Sequence, residues 1–311
     1  MANIGLFVGT QRGYEVALKL IEDGRNISGV LILEQKKHEI ENYTSRLVSL
    51  CLGNNIPFKT SREVKTRDYK FFIEDMKCDV LFVVSWRFLI SKECFDIPTH
   101  GIFVLHDSLL PQYRGWAPTN WVIINGEHQT GLSLQYISEN MDAGELVDQI
   151  KIDIEDNETA TSLNQKFLDI YPRIILNNVD LIMMGKNRKD DQNENSVSFG
   201  CKRGPEDGKI NFISMDTQQI VRLIRGLSYP YPGAFCFYND EKVILWEGKK
   251  IVHPLNYVGR IPGRIVQIVD EYVDVLTLDS VLRITKVSYA NEPSRFLKPR
   301  EIFNAISHKL Y

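Results

Sequence analysis

The chain has few cysteines, no long apolar run and little net charge, and each shortage narrows what it can do. Its five cysteines, Cys51, Cys78, Cys94, Cys201 and Cys236, form no CxxC pair and no metal-finger spacing. An odd, scattered set points to reduced thiols in a cytoplasmic protein, most of them core residues. The first apolar run, residues 4–8, stops at Gly9 and is too short for a signal-peptide core or a membrane span, so no membrane association is expected. A formal net charge of -3 with a pI near 6.1 gives no electrostatic footprint for a nucleic acid, and none is expected as partner. Internal repeats and low-complexity tracts are absent. So are GxGxxG, a GxxxxGK-S/T loop, a GxSxG elbow and an HExxH pair.

What is present is an ordinary globular composition, 43% hydrophobic and 25% charged over 311 residues, long enough for two domains. Near-continuous apolar runs at 3–9, 27–33 and 78–85 are separated by helical patterns, which indicates a parallel sheet covered on both faces. Residues 9–13, without phosphate-binding glycine spacing, read as a tight turn into a helix. Segment 34–65 is expected to carry one or two helices around residues 47–52. Capping chemistry at 156–161 precedes a helical pattern at 163–184, with Leu163, Phe167, Ile170, Ile174, Leu181 and Ile182 inward and Pro172 expected to kink or divide it. Residues 185–198 are polar and charged without apolar periodicity. The fold class is therefore α/β: a Rossmann-like, mostly parallel-sheet domain at 1–185, a linker at 186–204, and a smaller β-rich, OB-like barrel domain at 205–311. Short strands are expected there at 209–212, 234–238, 242–247, 263–269, 272–278 and 281–287, with one helix at 216–227.

The chemistry concentrates in residues 101–149. An apolar run at 102–105 delivers His106, and a second at 132–137 runs out into Asn140, Asp142 and Gly144. Open α/β sheets place reactive groups at such strand ends. A lone histidine is more often structural than catalytic, but a carboxylate beside an imidazole gives a base with its orienter. Ser108 lies two residues from His106 with no elbow around it, and His100, His106 and His128 lack metal-ligand spacing, so neither a serine nucleophile nor a metal is expected. From the residues alone the reading is an acyl-transfer-like or proton-transfer enzyme. Trp86 to Ile90 follow the third strand and should share the sheet edge with His106; Phe88, Leu89 and Ile90 suit core packing and ligand contact equally.

The ordered set His106-Asp107-Ser108-Leu109-Leu110-Pro111-Gln112-Tyr113-Arg114-Gly115, Ala117-Pro118, Asn120-Trp121, Asn125-Gly126-Glu127, Thr130-Gly131 and Met141-Asp142-Ala143-Gly144 resembles the signature of the folate-dependent formyltransferases. The resemblance covers essentially the whole chain, including Tyr229-Pro230-Tyr231-Pro232-Gly233-Ala234. It implies a formyl group taken from N10-formyltetrahydrofolate, which is released as tetrahydrofolate. Within the family the chain is most similar to enzymes that formylate an amino sugar carried on a nucleotide, such as the UDP-4-amino-4-deoxyarabinose formyltransferase; Asn120-Trp121 and residues 199–203 lean that way. The tRNA-acting branch, methionyl-tRNA formyltransferase, is the alternative, and the weakly acidic charge counts against it.

Carried over, the resemblance makes His106 and Asp142 the catalytic pair. Folate contacts fall on Phe88, Leu89, Ile90, Trp116, Ser138, Glu139, Asn140, Met141 and Asp142. The partner it implies is a UDP- or dTDP-linked amino sugar, met by Arg114, Asn120, Lys202, Arg203, Arg225, Tyr229 and Tyr231. Lys202, Arg203, Arg222 and Arg225 are the candidates for a diphosphate, because guanidinium forks match phosphate oxygens. A homodimer is allowed by apolar residues in the late strands, and nothing in the sequence requires one.

One position departs from the family. Its third catalytic residue is an asparagine two positions before the histidine; here that position is Val104. When an amine attacks the formyl carbon, one group must take the amine proton and another must donate to the oxygen that gains negative charge. Imidazole suits the first task, with Asp142 expected to hold the ring. Valine cannot serve the second, and losing one such donor typically costs about 10²–10³ in rate. The expectation is an active enzyme in which Asn120, a backbone N–H or an ordered water replaces the amide. A slow enzyme, or a non-catalytic homologue that binds sugar nucleotide or folate, are the alternatives.

Overall fold

The continuous apolar runs become central strands because a sheet covered on both faces has no solvent side to alternate with. The computed structural model describes residues 2–35, 42–62, 66–306 and 308–311. In chain order the first elements are β1 (Asn3–Val8), α1 (Thr10–Glu22), β2 (Asn26–Leu33), α2 (Tyr43–Gly53), β3 (Phe58–Ser61), α3 (Thr66–Met76), β4 (Val80–Val84) and β5 (Ile102–His106). They continue with the two-residue strand β6 (Arg114–Gly115), then α4 (Pro118–Asn125), β7 (Gln129–Tyr136), β8 (Leu146–Asp153), α5 (Ala160–Met183) and β9 (Phe199–Gly200). One seven-stranded sheet runs β3-β2-β1-β4-β5-β7-β8. It is parallel from β3 to β5. The short β3 and the helix α3 are additions to the expected elements; β3 is only partly buried and carries no alternation to betray it.

The last two strands reverse. β7 pairs antiparallel with β5 in the register Phe103 with Tyr136, Val104 with Gln135 and His106 with Ser133, and β8 pairs antiparallel with β7. The chain therefore leaves β7 beside Phe103, about 10 Å along the strand from His106 at 3.3 Å per residue. Asp142 lies six residues past the end of β7, on the loop rather than on the strand itself. The loop after β7 must fold back, and Gly144 lets it: a Cβ there would lie 1.8 Å from the carbonyl oxygen of Tyr136.

α5 is one helix in spite of Pro172, so the proline does not divide it. Leu163, Phe167, Ile170, Ile174 and Ile182 are buried as expected, but Leu181 is 42% exposed. The stretch expected as a linker is largely built in by polar contacts instead. Asp190 bridges to Leu146, Gln192 is buried, and β9 pairs with β6.

The chain divides into two compact units, Met1–Pro118 with Gln129–Asp153 and Asn164–Gly200, and Thr119–His128 with Ile154–Leu163 and Cys201–Tyr311. The change at 200/201 falls inside the expected linker, while two short early segments group with the later residues.

The second unit contains α6 (Thr217–Gly226), β10 (Ala234–Tyr238), β11 (Glu241–Lys250), β12 (Ile265–Ile268), β13 (Val273–Leu276), β14 (Val281–Tyr289) and the short α7 (Pro299–Ile302). Its sheet is antiparallel in the order β10-β11-β14-β13-β12. Ile220 and Ile224 of α6 join Val243, Leu245, Leu282 and Ile284 in its core. The expected strand at 209–212 is reduced to a single bridge from Lys209 to Phe235. Asp216 and Gln219 cap α6 reciprocally, each side chain bonding the other's backbone N–H. Four of the cysteines are buried and Cys201 is exposed. Burial pushes the Cys236 thiol up to about 12 and those of Cys51 and Cys78 up to about 11. Among the described residues no helix is long and apolar enough to cross a membrane.

Candidate active site

Strand alternation puts Val83, Val104, His106, Ser133 and Gln135 on one face of the first unit's sheet, and Ser85 just past the end of β4. Over this face lies a cavity of about 840 Å³ lined by His106, Val104, Gln135 and Ser85, by the segment after β4, and by the loop after β7. Every residue expected at the formyl donor lines it: Phe88, Leu89 and Ile90, then Trp116, then Ser138 to Asp142. Phe88, Leu89, Trp116 and Met141 are substantially exposed there, whereas Ile90 is 7% exposed and packs into the core beneath.

His106 is held differently from expectation. Its Nε2 lies 2.8 Å from the carbonyl oxygen of Tyr113, an acceptor only, so Nε2 carries the proton and donates. The other ring nitrogen, Nδ1, faces Asp142 Oδ2 at 3.5 Å. The Tyr113 carbonyl thus orients the ring, and Asp142 stands as a charge partner rather than a tight hydrogen-bonded orienter. Asp142 is fixed in turn: Oδ2 accepts from the backbone N–H of Gly115 at 2.8 Å, and Oδ1 lies 3.4 Å from Gln135 Nε2. Its φ is +52°, a left-handed conformation that aspartate tolerates better than most residues and that commonly marks functional loops.

A second polar group on the cavity wall had no sequence signal beyond its neighbours. Asp107, next to His106, pairs with Arg12 at 2.7 Å and accepts from the Tyr171 hydroxyl. Burial and the Asp107 charge push the Tyr171 hydroxyl well above its usual range. The hydroxyls of Thr10 and Ser85, also on the wall, are buried without a partner among the described residues. Both residues have positive φ, +56° and +53°.

Two expected substrate residues are committed elsewhere. Arg114 is 3% exposed; its guanidinium donates to Gln192 Oε1 at 2.8 and 3.1 Å and to Glu194 Oε1 at 2.7 Å, so it is not available to a phosphate. Asn120 is 4% exposed, gives one amide hydrogen to the Gly226 carbonyl at 2.7 Å and is not among the residues lining the cavity, which removes it as the replacement donor for Val104. In the second unit, Lys202 is exposed, and Arg203 lies over the Trp121 ring at 4.7 Å while bonding the Asp207 carbonyl. Arg225 donates from Nη1 to the Glu158 carbonyl, with Nε buried and unpartnered among the described residues. Tyr229 packs edge-on against Trp246 and Phe296, and Tyr231 is half-buried.

Residues 15–179 match the family model described as formyl transferase, and residues 202–305 match the formyl transferase C-terminal domain. The chain belongs to the formyltransferase family. This formyltransferase is 32% identical over 278 residues to the methionyl-tRNA formyltransferase of Clostridioides difficile (strain 630), with 88% of each chain covered. It is 31% identical over 244 residues to the bifunctional polymyxin resistance protein ArnA of Wigglesworthia glossinidia brevipalpis, covering 78% of this chain and 37% of that protein. Among solved structures, WlaRD, a sugar 3N-formyl transferase crystallised with dTDP and 5-N-formyl-THF, superposes with a TM-score of 0.67. It is 19% identical, with 92% of this chain and 97% of that chain covered. At that identity the likeness speaks to the fold.

Proposed function

We propose that this formyltransferase moves a formyl group from N10-formyltetrahydrofolate to the amine of a nucleotide-linked amino sugar in the cytoplasm. The observation that carries the reading is the cavity in which His106 Nδ1 and Asp142 meet the apolar segment Phe88–Ile90 and Trp116. Such a wall, apolar with a few fixed polar groups, suits a flat heteroaromatic ring. Phe88, Leu89, Trp116 and the loop 138–142 would hold the donor. When bound, N10-formyltetrahydrofolate supplies the formyl carbon, which passes from N10 to the acceptor nitrogen, and tetrahydrofolate departs with the proton that the amine gives up.

His106 carries that proton. With Nε2–H given to Tyr113, the Nδ1 lone pair takes the amine proton, Asp142 stabilises the imidazolium across 3.5 Å, and Nδ1 returns the proton to the leaving nitrogen. Lys202, Arg203 and Arg225 with Tyr229 and Tyr231 are the residues proposed to meet a UDP- or dTDP-sugar.

A sugar acceptor is supported by the likeness to WlaRD, a sugar 3N-formyl transferase, and by the net charge of -3. The 32% identity to a methionyl-tRNA formyltransferase supports the second reading, a charged tRNA as acceptor. Competition between the two acceptors separates the readings. A sugar nucleotide should be formylated with weak salt dependence, whereas a tRNA acceptor should show a steep loss of affinity with salt.

A further inference from the structure

We propose that Gln135 supplies, from the neighbouring strand, the amide donor that Val104 lacks. The proposal rests on reading the cavity over His106 as the site of the formyl donor. Gln135 Nε2 donates a hydrogen bond to the formyl oxygen while the acceptor nitrogen bonds to the formyl carbon and the bond to N10 breaks. The amide keeps both its protons throughout.

The register makes the substitution geometrically direct. Val104 and Gln135 are paired across the antiparallel β5–β7 ladder, so their side chains share the cavity face, and directly opposed Cβ atoms lie about 4.5–5.5 Å apart. On its other side Val104 pairs with Val83, which offers no donor. Gln135 is thus the polar neighbour of Val104 across the ladders.

The orientation of the amide is fixed. Oε1 accepts from Gly144 N at 3.1 Å and from Gln192 Nε2 at 3.2 Å. That turns Nε2 the other way, where one hydrogen faces Asp142 Oδ1 at 3.4 Å. The second hydrogen meets no acceptor among the described residues, in a side chain that is 2% exposed and still lines the cavity. A donor buried, pre-oriented and unspent is the arrangement that stabilises developing negative charge without reorganisation. Asn120 does not compete, because it is not among the residues lining this cavity. Ser85, whose hydroxyl is buried without a partner among the described residues, is the rival, but it follows β4 in line with His106 rather than Val104.

The test needs no acceptor. Infrared spectra of 10-formyl-5,8-dideazafolate, 13C-labelled in the formyl group and bound to the protein, report hydrogen bonding to the formyl oxygen. The wild type is expected to show a lower carbonyl frequency than Gln135→Met, and Val104→Asn placed in the Gln135→Met chain is expected to bring the low frequency back. In transfer assays Gln135→Met should lose about 10²–10³ in kcat, with most of the loss recovered by the added asparagine. Rescue is decisive, since asparagine at 104 cannot restore the Gly144 and Gln192 contacts that a purely structural role would need. Gln135→Glu keeps an acceptor oxygen for those contacts and replaces the methionine variant if the latter unfolds, with the same frequency rise expected when the carboxylate is ionised. An unchanged frequency in Gln135→Met, a loss that Val104→Asn leaves unrescued, or a rise in Ser85→Ala alone overturns the proposal. Failure to find a sugar acceptor leaves the infrared comparison intact, whereas failure to bind the analogue overturns the reading of the cavity and the proposal together.

Discussion

His106 is tied through Nε2 to the carbonyl oxygen of Tyr113, 2.8 Å away, and this contact decides which nitrogen can act as a base. The acceptor is a backbone oxygen, so no side-chain substitution at 113 removes it, and the ring stays in one tautomer without help from Asp142.

Asp142→Asn should therefore lower kcat by about 10²-fold or more by withdrawing charge from the imidazolium, while leaving the tautomer as it is. Nitrogen-15 NMR of the His106 ring should show the proton on Nε2 in both proteins. A proton found on Nδ1 in the variant would restore Asp142 to the role of orienter.

Arg114 is structural in this geometry. Arg114→Ala leaves Gln192 and Glu194 without their partner, and hydrogen bonds to a charged group contribute roughly 1.5–3 kcal/mol. We expect a lower melting temperature with an unchanged dissociation constant for UDP or dTDP, measured by calorimetry.

Asp279 makes the second unit acid-sensitive. Burial would raise its carboxyl, but hydrogen bonds from Lys250 and from the hydroxyl and backbone N–H of Thr217 outweigh that and hold it well below the usual carboxylate range. A carboxyl depressed in the folded state stabilises fully above its unfolded value of about 3.9, and the contribution fades as pH falls toward the folded value. Asp279→Asn should melt earlier than wild type at pH 7, with the gap closing as the buffer is taken below about pH 4.

The parts of the fold that burial alone decides were legible in the sequence. β1, β2 and β4 are continuous apolar runs, and His106 ends such a run. Strand direction is not written in alternation, so the reversal of β7 could not be read, nor the return of its loop over Gly144. The same limit hid Gln135: Val104 stood out as an anomaly along the chain, but its polar neighbour is 31 positions away and is set by pairing. Gln192 was concealed in a polar stretch that looks like linker, because hydrogen bonds rather than apolar contacts dock it. Tyr113 contributes only a carbonyl, which every residue has.

The central claim is that His106 in this cavity moves a formyl group. Purified protein, N10-formyltetrahydrofolate and a panel of UDP- and dTDP-linked amino sugars should give, by mass spectrometry, a product carrying one formyl group in place of a hydrogen. His106→Ala should slow its appearance by about 10²–10⁴-fold. Wild-type turnover no faster than that of His106→Ala would contradict the account.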